Sequence, residues 1–234
     1  MNIAPSAIFT IAGFPVTNTV ITTLIADAVI ISLAVALSRS VSLRPGKLQN
    51  AAEAVVDYFY GTIEDIAKER VSFIYPWVIS FFIFIAVSNF IALFPGFGSI
   101  VLHSQEARHG HALFRAATSD LNLTLALAVI SVIVSHYYSI KHTGIKSYLA
   151  RFISLKMFPI MLFVGGLEFI SELVKFISFS FRLFGNIFAG DIVLEKMYYL
   201  FPFLALETLV ALIQALVFAM LTMAFMSILT EKSH

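Results

Sequence analysis

The chain has 234 residues, of which 59% are hydrophobic and 12% charged, with a formal net charge of +1 and no cysteine. Soluble domains carry about 45–50% apolar and about 25% charged residues, so this composition excludes that class and predicts an integral membrane protein. The near-zero charge gives no reason for nucleic-acid binding, and without cysteine there is no thiol catalysis, disulfide or thiolate metal site.

The first 16 residues hold no Lys or Arg, which argues against a secretory signal peptide with a basic n-region. A first membrane span is predicted over about 16–37, with one acid, Asp27, for which no role follows. Residues 47–70 then place Leu48, Ala52, Val55, Phe59, Ile63 and Ile66 on one helical stripe and Glu53, Asp57, Glu64 and Asp65 on the other side. This reads as an amphipathic helix on the membrane surface or against partner helices. A second span covers about 76–94 and ends at the PGFG of 95–98. His103, His109 and His111 follow in a loop that a solvated surface explains better than a metal site. A third span covers about 121–138, with Ser119 or Asp120 as its N-cap. Two longer runs, about 159–200 and 202–229, are separated by the FPF of 201–203 and read as a tilted helical hairpin. The predicted fold is all-α, a single membrane domain over residues 1–234 with five spans.

Basic residues set the orientation. Arg39, Arg44, Lys47, Lys68, Arg70, Lys141, Lys146, Arg151, Lys156 and Lys232 fall on one side, and Arg108, Arg115 and Lys196 on the other. Ten against three places the N-terminus outside and the C-terminus in the cytoplasm or its organellar equivalent. No internal repeat points to an inverted-repeat transporter.

The last two spans hold nearly all the intramembrane charge: Glu168, Glu172, Lys175, Arg182, Asp191 and Glu195 on one, and Glu207 on the other. Such residues face a bundle interior or water and mark ion or substrate paths. Glu168, Glu172, Lys175, Ser178, Arg182, Asn186 and Ala189 recur at steps of three or four and form one polar stripe. Gly185 and Ala189 leave room for another helix close to Arg182. Asp191, nine residues past Arg182, faces the opposite side about 13 Å along the axis, so the two form no i,i+4 pair. Arg182 is thus left with no evident partner on its own helix. Glu207 and Gln214, seven apart, share a face, while Glu195 and Lys196 are interfacial. Three readings stay open here: ion translocation between two half-paths meeting at a cation, a solute transporter or membrane enzyme that binds an anionic headgroup through Arg182, and an arginine that merely pairs with an acid to assemble the bundle. Separated acids on opposite faces favour the first.

The stretch SFSFRLFGNIFAGD, 178–191, resembles the signature of the a-subunit family of F-type ATP synthases: RLFGN, then AG and an acid nine residues after the arginine. ALETLVALIQALVFAMLT, ATSDLNLTLALAV, YYSIKHTGIKSY and PGKLQNAAEAVVDYFYG are similar to the family too, whereas 99–115 is the least similar part. The resemblance implies a non-catalytic stator subunit that conducts protons, with no cofactor or metal. Its partners would be a ring of c subunits, peripheral-stalk b subunits and other ATP synthase subunits, most simply in a bacterial inner membrane. It implies that Arg182 faces the c-ring, that Ser178, Asn186 and Glu168 belong to the cytoplasmic path, and that Asp191, Glu207 and Gln214 belong to the outer path and ring interface. Family members often place histidine at the 191 or 207 position; here both are acids.

Overall fold

The computed structural model describes residues 7–11, 14–94, 101–102, 111–112, 114–152, 160–196 and 200–231. Among them seven α-helices carry the fold: α1 (Asn18–Ser40), α2 (Lys47–Ala67), α3 (Val71–Ala92), α4 (Leu121–Thr143), α5 (Ile145–Phe152), α6 (Ile160–Lys196) and α7 (Leu200–Thr230). Five helical segments, the second of them running through α2 and α3, are long and apolar enough to cross a membrane. The chain is an all-α, multi-pass membrane protein. Two short hairpins lie outside the helices: β1 (Ala7–Ile11) with β2 (Phe14–Thr17), and β3 (Val101–Leu102) with β4 (His111–Ala112). Sequence reading left the first hairpin unassigned, although Ile8, Phe9, Thr10, Ile11 and Val16 are the β-branched and aromatic types that suit strands.

α1 is largely exposed along its length and packs on α3 through its N-terminal end, where Asn18, Thr19, Thr22 and Ala26 are buried. Its remaining apolar surface, including Leu24, Ile31 and Leu33, suits contact with lipid tails. α2 is amphipathic and folds back on α3. The Phe59 and Phe82 rings meet tilted with centroids 4.7 Å apart and Tyr60 meets Tyr75 at 5.7 Å, while Glu53, Asp57, Glu64 and Asp65 stay exposed. The elbow between α2 and α3 runs through Lys68, whose φ of +50 is a conformation that side chains rarely adopt. Arg70 then donates from Nη1 to the Ser227 carbonyl at 2.7 Å, and Ser139 Oγ donates to the Leu229 carbonyl at 2.6 Å. Both bonds reach carbonyls in the last turn of α7, where no i+4 amide follows within the helix.

Two layers of core hold α3, α4, α6 and α7 together. The layer nearer the C-terminus of α7 joins Ile63, Ile74, Val78, Val134, Met223 and Met226. The next joins Phe81, Ile85, Leu127, Phe179, Leu183 and Phe218.

Three element ends differ from the sequence expectation. α3 starts at Val71 rather than Pro76, because Val71 and Ile74 bury against α2 and carry the helix back past the proline. α4 runs on to Thr143, where Gly144 at φ +83 closes it. The FPF of 201–203 lies inside the first turn of α7 rather than forming the hairpin turn. Pro202 is tolerated there because first-turn N–H groups have no helical acceptor. The N-cap of α4 is Asp120, which accepts from the Asn122 amide at 2.9 Å.

Candidate functional site

Helix periodicity divides α6 into faces, and burial shows what each face meets. Phe163, Ile170, Val174, Ile177 and Phe181 make an exposed apolar face. Arg182 is exposed at the margin of that face, with Nη2 donating to Ser178 Oγ at 3.5 Å one turn away. Phe179, Leu183 and Ile187 turn inward and are buried against α3, α4 and α7. Ser178 is therefore a partner for Arg182 on its own helix, where sequence reading found none. Among the described residues no carboxylate pairs with the guanidinium.

Toward the C-terminal end of α6, α6 and α7 run antiparallel with polar residues in register. Asn186 Nδ2 donates to Gln214 Oε1 at 2.7 Å, and Gln214 is buried. The two residues, which the family resemblance implies for different paths, are thus brought into direct contact. One helical turn further along α6, Gly190 lies under Glu207, and a Cβ at that position would overlap the Glu207 carboxyl group. Only glycine lets the carboxylate rest on the α6 backbone here. Asp191 is the next residue on α6, and Glu168 lies at its other end; the side chains of both fall outside the described residues, as do those of Glu195 and Lys196 and the loop with His103 and His109.

A buried polar knot closes the end of the bundle that holds the N-terminus of α1. Asn89 of α3 donates to the Ala211 carbonyl of α7 at 3.3 Å and accepts from Thr118 in the 3₁₀ turn before α4. Asp120 accepts from Thr19 of α1 at 2.8 Å. Arg115 is buried, donates from Nε to Ser119 Oγ at 3.0 Å, and has its guanidinium 5.7 Å from the Phe188 ring of α6. In the sequence Arg115 lies with Arg108 ahead of the third predicted span, and its burial is a feature of the structure. The Arg-x-x-x-Ser spacing that lets the guanidinium reach back over one turn was the available signal.

A second cluster forms at the other end of α6. Glu172 lies roughly 80° around the helix from Arg182 and turns toward α4. The predicted single polar stripe is therefore split: Arg182 and Asn186 are exposed, whereas the Glu172 side chain is 13% exposed. Glu172 Oε1 accepts from Lys175 Nζ at 2.9 Å, and Oε2 lies 3.8 Å from His136 Nε2 of α4. His136 was not singled out from the sequence. An ionisable residue inside an apolar span was the signal that could have found it.

Residues 19–227 match the family model described as ATP synthase A chain. The chain belongs to that family. "ATP synthase subunit a" of Moorella thermoacetica is 29% identical over 232 residues, covering 97% of this chain and 96% of the relative. The protein of that name from Bacillus subtilis strain 168 is 32% identical over 248 residues, covering 94% of each, and one from Legionella pneumophila strain Philadelphia 1 is 31% identical over 226 residues, covering 94% and 89%. As an ATP synthase A chain, the protein is an ion-transporting subunit of the Fo sector and works in a complex with other ATP synthase subunits.

Proposed function

We propose that this chain is the non-catalytic stator of a rotary proton path, with two offset aqueous half-paths kept apart by Arg182. One observation carries the reading. Arg182 is exposed at the edge of an apolar face, with a carboxylate group on either side of it along the α6 axis. Glu207, resting on Gly190, is about 12 Å away in one direction, and Glu172 about 15 Å away in the other. The apolar face of α6 suits a packed rotor of helices, here a ring of c subunits, each carrying a carboxyl group. Beside Arg182 such a group is held as the carboxylate, because a neighbouring cation favours the charged form. Its proton leaves by one half-path, and after rotation another arrives by the other. Guanidinium suits the separating role because it stays charged under all working conditions. The membrane potential contributes about 2.3 kcal/mol per charge per 100 mV.

Glu168, Ser178 and Glu172 line the cytoplasmic half-path in this reading; Asp191, Glu207 and Gln214 line the outer one, and Asn186 bridges the two helices at the centre. The basic-residue bias supports an outside N-terminus and a cytoplasmic C-terminus, and bacterial relatives support a bacterial inner membrane. Peripheral-stalk b subunits complete the stator. A headgroup site through Arg182 is less well supported: it would want a second cation at the same depth, and Lys175, seven residues away, is held by Glu172. The deciding experiment is ATP-driven proton pumping by the reconstituted complex. Arg182→Ala abolishes it with the complex still assembled, and Arg182→Lys impairs it severely; full pumping by Arg182→Ala overturns the reading.

A further inference from the structure

We propose that His136 is a proton-holding residue of the cytoplasmic half-path, poised between Glu172 and Tyr148. The inference rests on the two-path reading above and extends it to a residue on α4 that the charged hairpin alone does not reveal.

The geometry is that of a relay. Tyr148 of α5 lies with its hydroxyl 3.1 Å from His136 Nδ1, and the two rings meet edge to face at 5.8 Å. With Nδ1–H donating to the Tyr148 oxygen, the Nε2 lone pair is left facing Glu172 Oε2 at 3.8 Å. That separation is too long for a direct hydrogen bond and suits an ion pair or one bridging water. A cavity of about 10 Å³ lies at the same place, lined by Ser131, Ser135, His136, Glu172 and Lys175 with apolar neighbours. This is room for about one water, with enough polar groups to hold it. Lys175 Nζ closes the chain: it is bonded to Glu172 Oε1 and lies 4.6 Å from the Phe225 ring centre. Lys175 shares the face of α6 that carries Arg182, two turns away. The polar string thus runs from α5, across α4, to the Arg182 face of α6.

Among the described residues lining the cavity, α6 contributes Glu172 and Lys175 and α7 contributes Phe225 and Leu229, while the Tyr148 hydroxyl of α5 meets Nδ1. On α4 itself, Lys141 lies over the Tyr138 ring and His142 stacks on Phe73, both away from the cavity. A proton taken up at Nε2 makes an imidazolium that the Glu172 carboxylate stabilises and the Lys175 ammonium opposes. The same proton then leaves Nε2 for water, and the neutral ring is restored. Histidine suits this step because its charge changes between about pH 5 and 8.

The test uses the intact complex in liposomes, with proton flux measured across about pH 5 to 9 so as to span the histidine window. His136→Gln keeps a polar side chain but cannot titrate. It is expected to lower flux several-fold and to remove the limb of the pH profile inside that window. Glu172→Gln and Lys175→Met keep the histidine, and they are expected to displace the midpoint of that limb in opposite senses, which a purely structural role would not do. These two variants carry the test if His136→Gln fails to assemble. An unchanged profile in His136→Gln, or no displacement in either charge variant, overturns the proposal. Arg182→Ala run alongside separates the two levels: if it abolishes flux while the profile is insensitive to His136, the relay alone is wrong. If Arg182→Ala conducts and pumps normally, the two-path reading falls and the relay with it.

Discussion

Gly190→Ala is the most informative single perturbation of the α6–α7 seam. The added Cβ overlaps the Glu207 carboxyl group, and no other group lies among its nearest contacts. Non-bonded carbons and oxygens settle at about 3.5–4.0 Å, so the carboxylate must retreat by more than about 1 Å. The obstacle is the far end of a flexible side chain, not backbone, so a rotamer change accommodates it. The stability cost is then at the low end of the overpacking range, about 1 kcal/mol. Transport is more sensitive, because proton transfer needs partners within about 2.6–3.2 Å. In the proposed outer half-path, moving Glu207 by more than about 1 Å takes it out of that reach of a group it exchanges a proton with. Proton pumping by reconstituted complex is expected to fall about tenfold with assembly retained. Glu207→Asp shortens the side chain by one carbon–carbon bond, about 1.5 Å, and so makes room for the new methyl group. The double variant Gly190→Ala with Glu207→Asp is therefore expected to pump better than Gly190→Ala alone. Wild-type pumping by Gly190→Ala, or a double variant worse than either single one, would refute the packing of Glu207 on Gly190 as a functional contact.

The Asn186–Gln214 bond is tested by a double-mutant cycle on assembly and flux. Asn186→Leu leaves the buried Gln214 amide without its donor and is expected to cost about 1–3 kcal/mol, whereas adding Gln214→Leu returns most of the stability but not the flux. Arg70→Gln removes the bond to the Ser227 carbonyl at the end of α7; the thermal midpoint of the complex is expected to fall by an amount corresponding to about 1.5–3 kcal/mol, measured by loss of assembled complex on heating. Cysteines introduced at Ser42 and Ser147 are expected to react with a membrane-impermeant thiol reagent from the cytoplasmic side only, and one at Ser104 from the other side. The reverse pattern would invert the two half-paths.

Helix identity was legible in the sequence because apolar runs of about 20 residues have few alternatives in a bilayer. The runs that became α1, α3, α4, α6 and α7 were each visible in this way, and α2 was visible from its stripe of Leu48, Ala52, Val55, Phe59, Ile63 and Ile66. The charged α6–α7 pair was visible for the same reason, since Arg182, Asp191 and Glu207 stand out against hydrocarbon. Helix ends were less legible. Pro76 and the FPF of 201–203 read as boundaries by local propensity, yet both lie within helices: Val71 and Ile74 bury against α2, and Pro202 falls in a first turn whose N–H groups have no helical acceptor.

What the sequence by itself determined is the class of the molecule, the number of apolar crossings and the chemistry of the residues available to an ion path. Those follow from composition and from the helical period, which are local properties. Only the tertiary structure decided which residues meet. Asn186 with Gln214, Gly190 under Glu207, and His136 with Glu172 are contacts between helices, and their sequence separations run from 17 to 36 residues. No periodicity within one helix encodes the register of its neighbour; that register is set by how large and small side chains interlock across the interface. Arg115 shows the same limit. In the sequence it lies with Arg108 ahead of a predicted span, and packing against Phe188 and Ser119 buries it in the protein.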